Sequence, residues 1–298
     1  MSNDGRAFSF LRRNAREGKP RHRGLTEIRG PYYSVLGPRY LHDLLETVGH
    51  AVDIFKFSGG SFAAISKGSL RELIDVCHEH DVLVSTGGFL ERVLLQGSDA
   101  VDDYLGECRQ LGFDIVEVSS GFLSIPTEDL ARLTERVKQH GLEPKPEINV
   151  QYGAGGSSPV ETLEAQGGRD VSAAIDEARR HLALGARLVM LESEGVTENV
   201  RSWRTDVVAA VVSALGLANV MFEAADPAVF GWYVKTFGPE VNLFVDHSQI
   251  VQLECLREGL WGTSDLWGRV VTYKPARAVA AREDDASGRS PDEGRSAH

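Results

Sequence analysis

Apolar positions in this chain follow two alternating patterns. Short runs rich in β-branched and aromatic residues occur at 24–28, 52–57, 82–85, 114–118, 143–150, 187–191, 220–223 and 241–245. Between them lie longer stretches with apolar residues at helical spacing, at 39–48, 69–80, 99–111, 127–140, 171–184, 203–215, 227–237 and 250–258. A period near two predicts strands and a period near 3.6 predicts helices. Ser69 and Thr127 mark helix starts, and Gly49, Gly112, Gly141, Gly185 and Gly216 mark helix ends. Eight strand–helix units in order predict an α/β fold, a closed parallel (β/α)8 TIM barrel forming one domain over residues 24–275. An open doubly wound sheet is the runner-up, but no GxGxxG follows the first strand.

The strand register carries the first chemical signal. Residues two apart share a face, so Ile54-Lys56-Ser58, Ile115-Glu117-Ser119, Leu188-Met190-Glu192-Glu194 and Met221-Glu223-Ala225 each form a row that begins apolar. Lys56, Glu117, Glu147, Glu192 and Glu223 end their runs, and Asp246 closes the last. Barrel enzymes gather their sites at these carboxyl ends. A buried carboxylate is costly unless it is paired or bound to a metal. Any one of them could pair with Lys56, Lys145 or Arg29. All of them together need more positive charge than those residues supply, and a divalent cation is the natural remedy. Oxygen donors without His or Cys favour Mg²⁺, with Glu147, Glu192, Glu223 and Asp246 as its expected ligands.

Glycine-rich loops follow three of the strands: Ser58-Gly59-Gly60-Ser61, Thr86-Gly87-Gly88 and Ser119-Ser120-Gly121. Each is explained by a tight turn as well as by an anion site, but three in succession favour an anionic ligand held by main-chain N–H groups. Residues 149–168, with five glycines, read either as a lid over the mouth or as an inserted disordered loop. After the eighth strand, Asp246-His247-Ser248-Gln249 occupies a region where barrels often bind phosphate. For His247, ligand contact and a loop hydrogen bond are equally open.

Composition narrows the class. The 298 residues, 42% hydrophobic, suffice for one large core, and a net charge of −11 argues against nucleic acid or an anionic membrane as partner. The expected partner is a small anionic, phosphorylated substrate, with a homo-oligomer left open. Cys77, Cys108 and Cys255 lack metal-ligand spacing and read as reduced core thiols. No apolar stretch approaches the roughly 20 residues of a membrane span, so a cytoplasmic location is expected. Residues 1–23 form a basic arm, read as a solvated extension or a flap on the barrel, and 276–298 read as a disordered tail.

Several spaced motifs resemble one family. Gly24-Leu25-Thr26, Phe55-Lys56-Phe57, Gly87-Gly88, Val116-Glu117-Val118-Ser119, Pro146-Glu147, Glu192, Phe222-Glu223-Ala224, Val241-Asn242-Leu243 and Leu253-Glu254-Cys255-Leu256-Arg257 look like the phosphosulfolactate synthases over about residues 24–273. The likeness is greatest to a bacterial branch related to plant heat-stress-associated proteins, which share stretches similar to Val245-Asp246-His247-Ser248-Gln249 and are linked to thermotolerance.

The resemblance implies a Mg²⁺-dependent lyase that joins sulfite to phosphoenolpyruvate through an enediolate-like intermediate. It assigns Lys56 as first candidate for the proton donor and Lys145 as second. Glu117, Glu147, Glu192 and Glu223 become metal ligands or orienting bases, and Gly87, Gly88, Ser119, His247, Ser248 and Gln249 candidates for substrate or phosphate contact. The pattern departs from the synthases at Ile28-Arg29-Gly30-Pro31, where they carry an Asp-Lys pair, and near Ser193-Glu194, where they carry an Arg. Arg29 restores one of the lost cations. A barrel enzyme acting on a different phosphorylated or enol acid, and a non-catalytic stress protein, are the alternatives.

Overall fold

A computed structural model of the protein describes residues 7–224 and 226–272. Among them are eight strands: β1 (Thr26–Arg29), β2 (Ile54–Phe57), β3 (Leu83–Thr86), β4 (Ile115–Val118), β5 (Glu143–Ile148), β6 (Val189–Leu191), β7 (Val220–Glu223) and β8 (Asn242–Asp246). Each pairs in parallel with its neighbour in sequence, and β8 pairs with β1 to close the barrel. The helices are α1 (Pro38–Val48), α2 (Lys67–Glu79), α3 (Leu90–Leu94), α4 (Asp99–Leu111), α5 (Thr127–Gln139), α6 (Val160–Gln166), α7 (Val171–Ala183), α8 (Thr205–Leu215), α9 (Pro227–Phe237) and α10 (Ile250–Arg257).

All eight expected strands and all eight expected helices are present, with ends displaced by up to a few residues. The helices α3 and α6 were not expected, because five and seven residues leave little room for a helical period. One start signal is corrected: Ser66, not Ser69, caps α2 and accepts from the Ser69 N–H, whereas Thr127 is the first residue of α5 as expected, following Pro126.

The expected register holds where it is described, while Ala225 lies outside the described residues. Leu25, Ile54, Ile115, Leu188, Met190, Met221 and Phe244 pack together inside the barrel. A larger core, including Phe55, Phe57, Val116 and Phe222, fills the space between strands and helices. Pro144 and Pro146 alternate with Lys145 and Glu147 along β5, so the prolines take one face and the charges the other.

The basic arm packs on the barrel. Arg13 pairs with Glu258 at 2.7 Å, Arg16 with Glu254 at 2.9 Å and Arg21 with Asp53 at 2.9 Å, while Lys19 donates to the carbonyls of His80 and Asp81. Asp53 and Asp81 precede β2 and β3, which places these contacts at the amino ends of the strands, away from the mouth. Cys77, Cys108 and Cys255 are unpaired thiols, the first two buried. Residues 276–298 lie outside the described residues.

Candidate active site

Above the apolar floor, the inward rows turn polar. Lys145 on β5 contacts Glu27 on β1 at 2.5 Å and Glu117 on β4 at 3.4 Å. One level higher, Lys56 on β2 contacts Glu117 at 2.7 Å and Glu147 at 3.9 Å. Its ammonium also lies 4.7 Å from the centre of the Phe244 ring. Arg29, at the end of β1, pairs with Glu223 at 3.2 Å and covers the rings of Phe244 and Tyr33. Over this layer opens a cavity of about 610 Å³ at the carboxyl ends of the strands.

The cavity is acidic. Glu91, Glu117, Glu147, Glu192, Glu194, Glu198 and Glu223 line it, against Arg29, Lys56 and Arg92. Burial, followed by the neighbouring Glu117 carboxylate, pushes Glu147 up to about 8 despite Lys56. Burial, then Glu223 and Glu147, raises Glu192 well above the usual carboxylate range. Burial alone would lower the Lys56 ammonium, but Glu117, Glu147, Glu223 and Glu27 together outweigh it and hold Lys56 above its ordinary value. Glu192 Oε1 accepts from the Glu194 N–H at 2.9 Å.

Two carboxylates serve the loops instead of a ligand. Glu91 on α3 is buried and accepts from Ser119 Oγ at 2.7 Å and from the N–H groups of Gly121, Phe122 and Leu123 at 2.8–3.0 Å. Glu194 accepts from the N–H groups of Gly155, Gly156 and Ser158 and from Asn199 Nδ2. These filled nests correct the expectation that the glycine-rich loop after β4 offers free donors to an anion. Gly59 and Gly60 have positive φ and closely face the rings of Tyr32 and Phe89. They serve packing. Residues 149–168 carry α6 and the Glu194 contacts, so the reading as a disordered insertion is corrected.

The cavity brings together Arg29, Lys56, Glu117, Glu147, Glu192, Glu223, Gly88 and Ser119. Several expected residues do not line it. Lys145 is sealed beneath, 2% exposed and tied to its two carboxylates, so it cannot present a proton to a ligand there. A side chain at Gly87 would meet backbone atoms of Gly59 and Phe57 at 3.0 Å, so this glycine permits close packing of two loops. Asp246 accepts from Ser248 N and Oγ at 3.0 and 2.6 Å. Burial would raise its pKa, but these bonds outweigh that and lower it. Asp246 does not line the cavity that the other three expected metal ligands share. The residues of the 3₁₀ turn His247–Gln249 do not line the cavity. Of the two readings of His247, a loop hydrogen bond is found, from Nδ1 to the Arg29 carbonyl at 3.1 Å.

Four residues were missed. Glu27 was readable from the Leu25-Glu27-Arg29 alternation, whereas Glu91 and Arg92 fall on an unexpected short helix, and Glu198 lies in an irregular loop. Among the described residues, no three carboxylate, imidazole or thiolate groups are gathered closely enough to cage an ion as they stand. Glu147, Glu192 and Glu223 are the carboxylates that could hold one, since burial and then neighbouring carboxylates raise the pKa of the first two, and a bound cation would offset both effects.

A closed parallel barrel with a charged cavity at the carboxyl ends of its strands defines a TIM-barrel protein with an enzyme-type site. Residues 14–263 match the family described as (2R)-phospho-3-sulfolactate synthase (ComA), and the chain belongs to that family. It is 41% identical to the protein HEAT-STRESS-ASSOCIATED 32 of Arabidopsis thaliana over 259 residues, covering 84% of this chain and 91% of the relative. It is 29% identical to the phosphosulfolactate synthase of Methanothermobacter thermautotrophicus over 275 residues, covering 89% and 98%. Among solved structures, the carboxyl transferase domain of Rhizobium etli pyruvate carboxylase with pyruvate superposes with a TM-score of 0.53 at 12% identity, covering 76% of this chain and 40% of that one. That likeness shows the barrel fold alone. No helix among the described residues is long and apolar enough to cross a membrane.

Proposed function

We propose that the protein is a lyase of the phosphosulfolactate synthase type, adding sulfite to the methylene carbon of phosphoenolpyruvate. The observation that carries this reading is the facing of Lys56 and the carboxylates Glu147, Glu192 and Glu223 over one cavity in a chain of this family. Mg²⁺ held by those three carboxylates would supply a Lewis acid for the negative charge that develops on the substrate carboxylate.

The remaining work falls to the chain itself. Sulfite forms the new carbon–sulfur bond, and the electron pair of the double bond moves toward the carboxylate. Lys56, kept protonated and aimed by Glu117, delivers a proton to the adjoining carbon. Its acidity rises once the surrounding carboxylates are neutralised, because they are what raises its pKa. Arg29, braced by Glu223 and the Phe244 ring, adds a fixed positive charge beside the reacting carboxylate. Lys145 and Glu27 position Glu117 from below. A steady-state assay of phosphoenolpyruvate and sulfite with Mg²⁺ tests the proposal. Turnover lost in Lys56→Ala supports it, and a wild-type protein without turnover refutes it.

A second reading is a related barrel enzyme in which another nucleophile adds to the enol acid. Seven carboxylates against three cations favour an uncharged nucleophile over doubly charged sulfite. Phosphoenolpyruvate binding without sulfite-dependent turnover would mark that case. A non-catalytic stress-associated protein, a reading that takes only the stress association from the name of the 41% identical relative, would bind no phosphorylated acid and would lose no function in Glu147→Gln.

A further inference from the structure

The charges around the cavity are segregated by strand order. Arg29, Lys56 and Arg92 belong to β1, β2 and the helix after β3, whereas the carboxylates come mainly from β4 to β7 and their loops. In a closed ring of eight strands β3 lies across from β7, so a basic and an acidic half face each other over the mouth.

The three cations differ in what already holds them. Lys56 is 2.7 Å from Glu117, and Arg29 is 3.2 Å from Glu223. Arg92 lines the cavity with no ion pair or hydrogen bond to any described residue. Its neighbour Glu91 is buried and anchors α3 through Ser119 and three backbone N–H groups. One residue of this helix therefore fixes it, and the next offers a guanidinium to the cavity.

We infer that Arg92 binds the phosphoryl group of the substrate, which lies across the mouth with its carboxylate toward Glu147, Glu192 and Glu223. This rests on the enol-phosphate reading above and adds the direction in which the substrate is held. Two sets of loop donors are already occupied, those after β4 by Glu91 and the glycines at 155 and 156 by Glu194. The turn at 247–249, the conventional phosphate position in a barrel, does not line the cavity. A guanidinium matches phosphate with two parallel N–H bonds, which a point charge does not reproduce.

The test is calorimetric titration of the full chain with Mg²⁺, using phosphoenolpyruvate and oxalate, which keeps carboxylates and lacks the phosphoryl group. Arg92 is exposed, so its substitution should leave the thermal melt unchanged. Arg92→Ala should weaken phosphoenolpyruvate about 10- to 100-fold and leave oxalate unchanged, with Arg92→Lys recovering part of the loss. Unchanged phosphoenolpyruvate affinity in Arg92→Ala, or equal weakening of both ligands, overturns the role of Arg92 alone. A wild-type protein that does not bind phosphoenolpyruvate overturns the enol-phosphate reading and this inference with it.

Discussion

Lys145 reaches across the barrel from β5 to meet Glu27 on the opposite strand β1 at 2.5 Å, with both side chains sealed from solvent. Removing one partner of such a pair strands a charge in a poor solvent. Lys145→Met is expected to cost about 3–5 kcal/mol, and Lys145→Met combined with Glu27→Leu to recover much of it. Urea unfolding of the two single variants and the double variant measures the coupling. Independent, additive effects would rule out a coupled structural pair.

The acidic cavity makes stability depend on pH with a definite sign. The folded pKa of Glu147, about 8, stands above its ordinary value of 4.5, and Glu192 is raised as well. The folded state therefore holds more protons than the unfolded chain between those values, so stability falls as pH rises through that window. The Tm of the metal-free protein should drop by several °C between about pH 5 and about pH 8, with Mg²⁺ restoring part of it at the high end and Glu147→Gln flattening the profile. A Tm that rises over this range would contradict the assignment.

Charge alone should not replace Lys56. In Lys56→Arg the positive partner of Glu117 is kept, but a guanidinium does not release a proton near neutrality. We expect the rate to fall about 10²- to 10⁴-fold, the usual worth of a positioned general acid. Sulfite-dependent turnover followed alongside the thermal melt separates lost chemistry from lost folding. Near-wild-type turnover would assign the proton to another group.

Glu194 holds the loop that crosses the mouth. Glu194→Ala frees the N–H groups of Gly155, Gly156 and Ser158 and should cost about 1–3 kcal/mol. Amide exchange in residues 153–158 should accelerate ahead of the strands. Unchanged exchange there would mean that other contacts hold the loop.

Gly121 and Ala154 bring the two loops over the cavity together. A methyl group on Gly121 would sit 2.5 Å from the Ala154 carbonyl oxygen, a backbone atom that cannot swing aside. Gly121→Ala should therefore push the loops apart, lower the Tm and weaken phosphoenolpyruvate binding, read by melting and titration. An unchanged Tm and affinity would show that the loops tolerate separation.

Local pattern was enough for the barrel and for half of its site. The alternation that put Ile54 and Lys56, or Met221 and Glu223, on one inward row is a property of consecutive residues, so Lys56, Glu117, Glu147, Glu192 and Glu223 could be placed before any tertiary contact was known. Pairing is a different matter, because closure sets β1 against β5 across the axis at a sequence separation of 118 residues. Only closure, therefore, decided that Lys145 would be consumed by Glu27. The loop donors followed the same logic: the glycine after β4 announced a free N–H group, but Glu91 arrives from the neighbouring strand–helix unit to claim it, and Glu194 does the same for the glycines after β5. His247, Ser248 and Gln249 resembled a phosphate loop until the turn after β8 carried them outside the cavity. Side-chain direction along a strand is written in its periodicity, whereas the partner a charge meets depends on which distant segment the closed barrel delivers beside it.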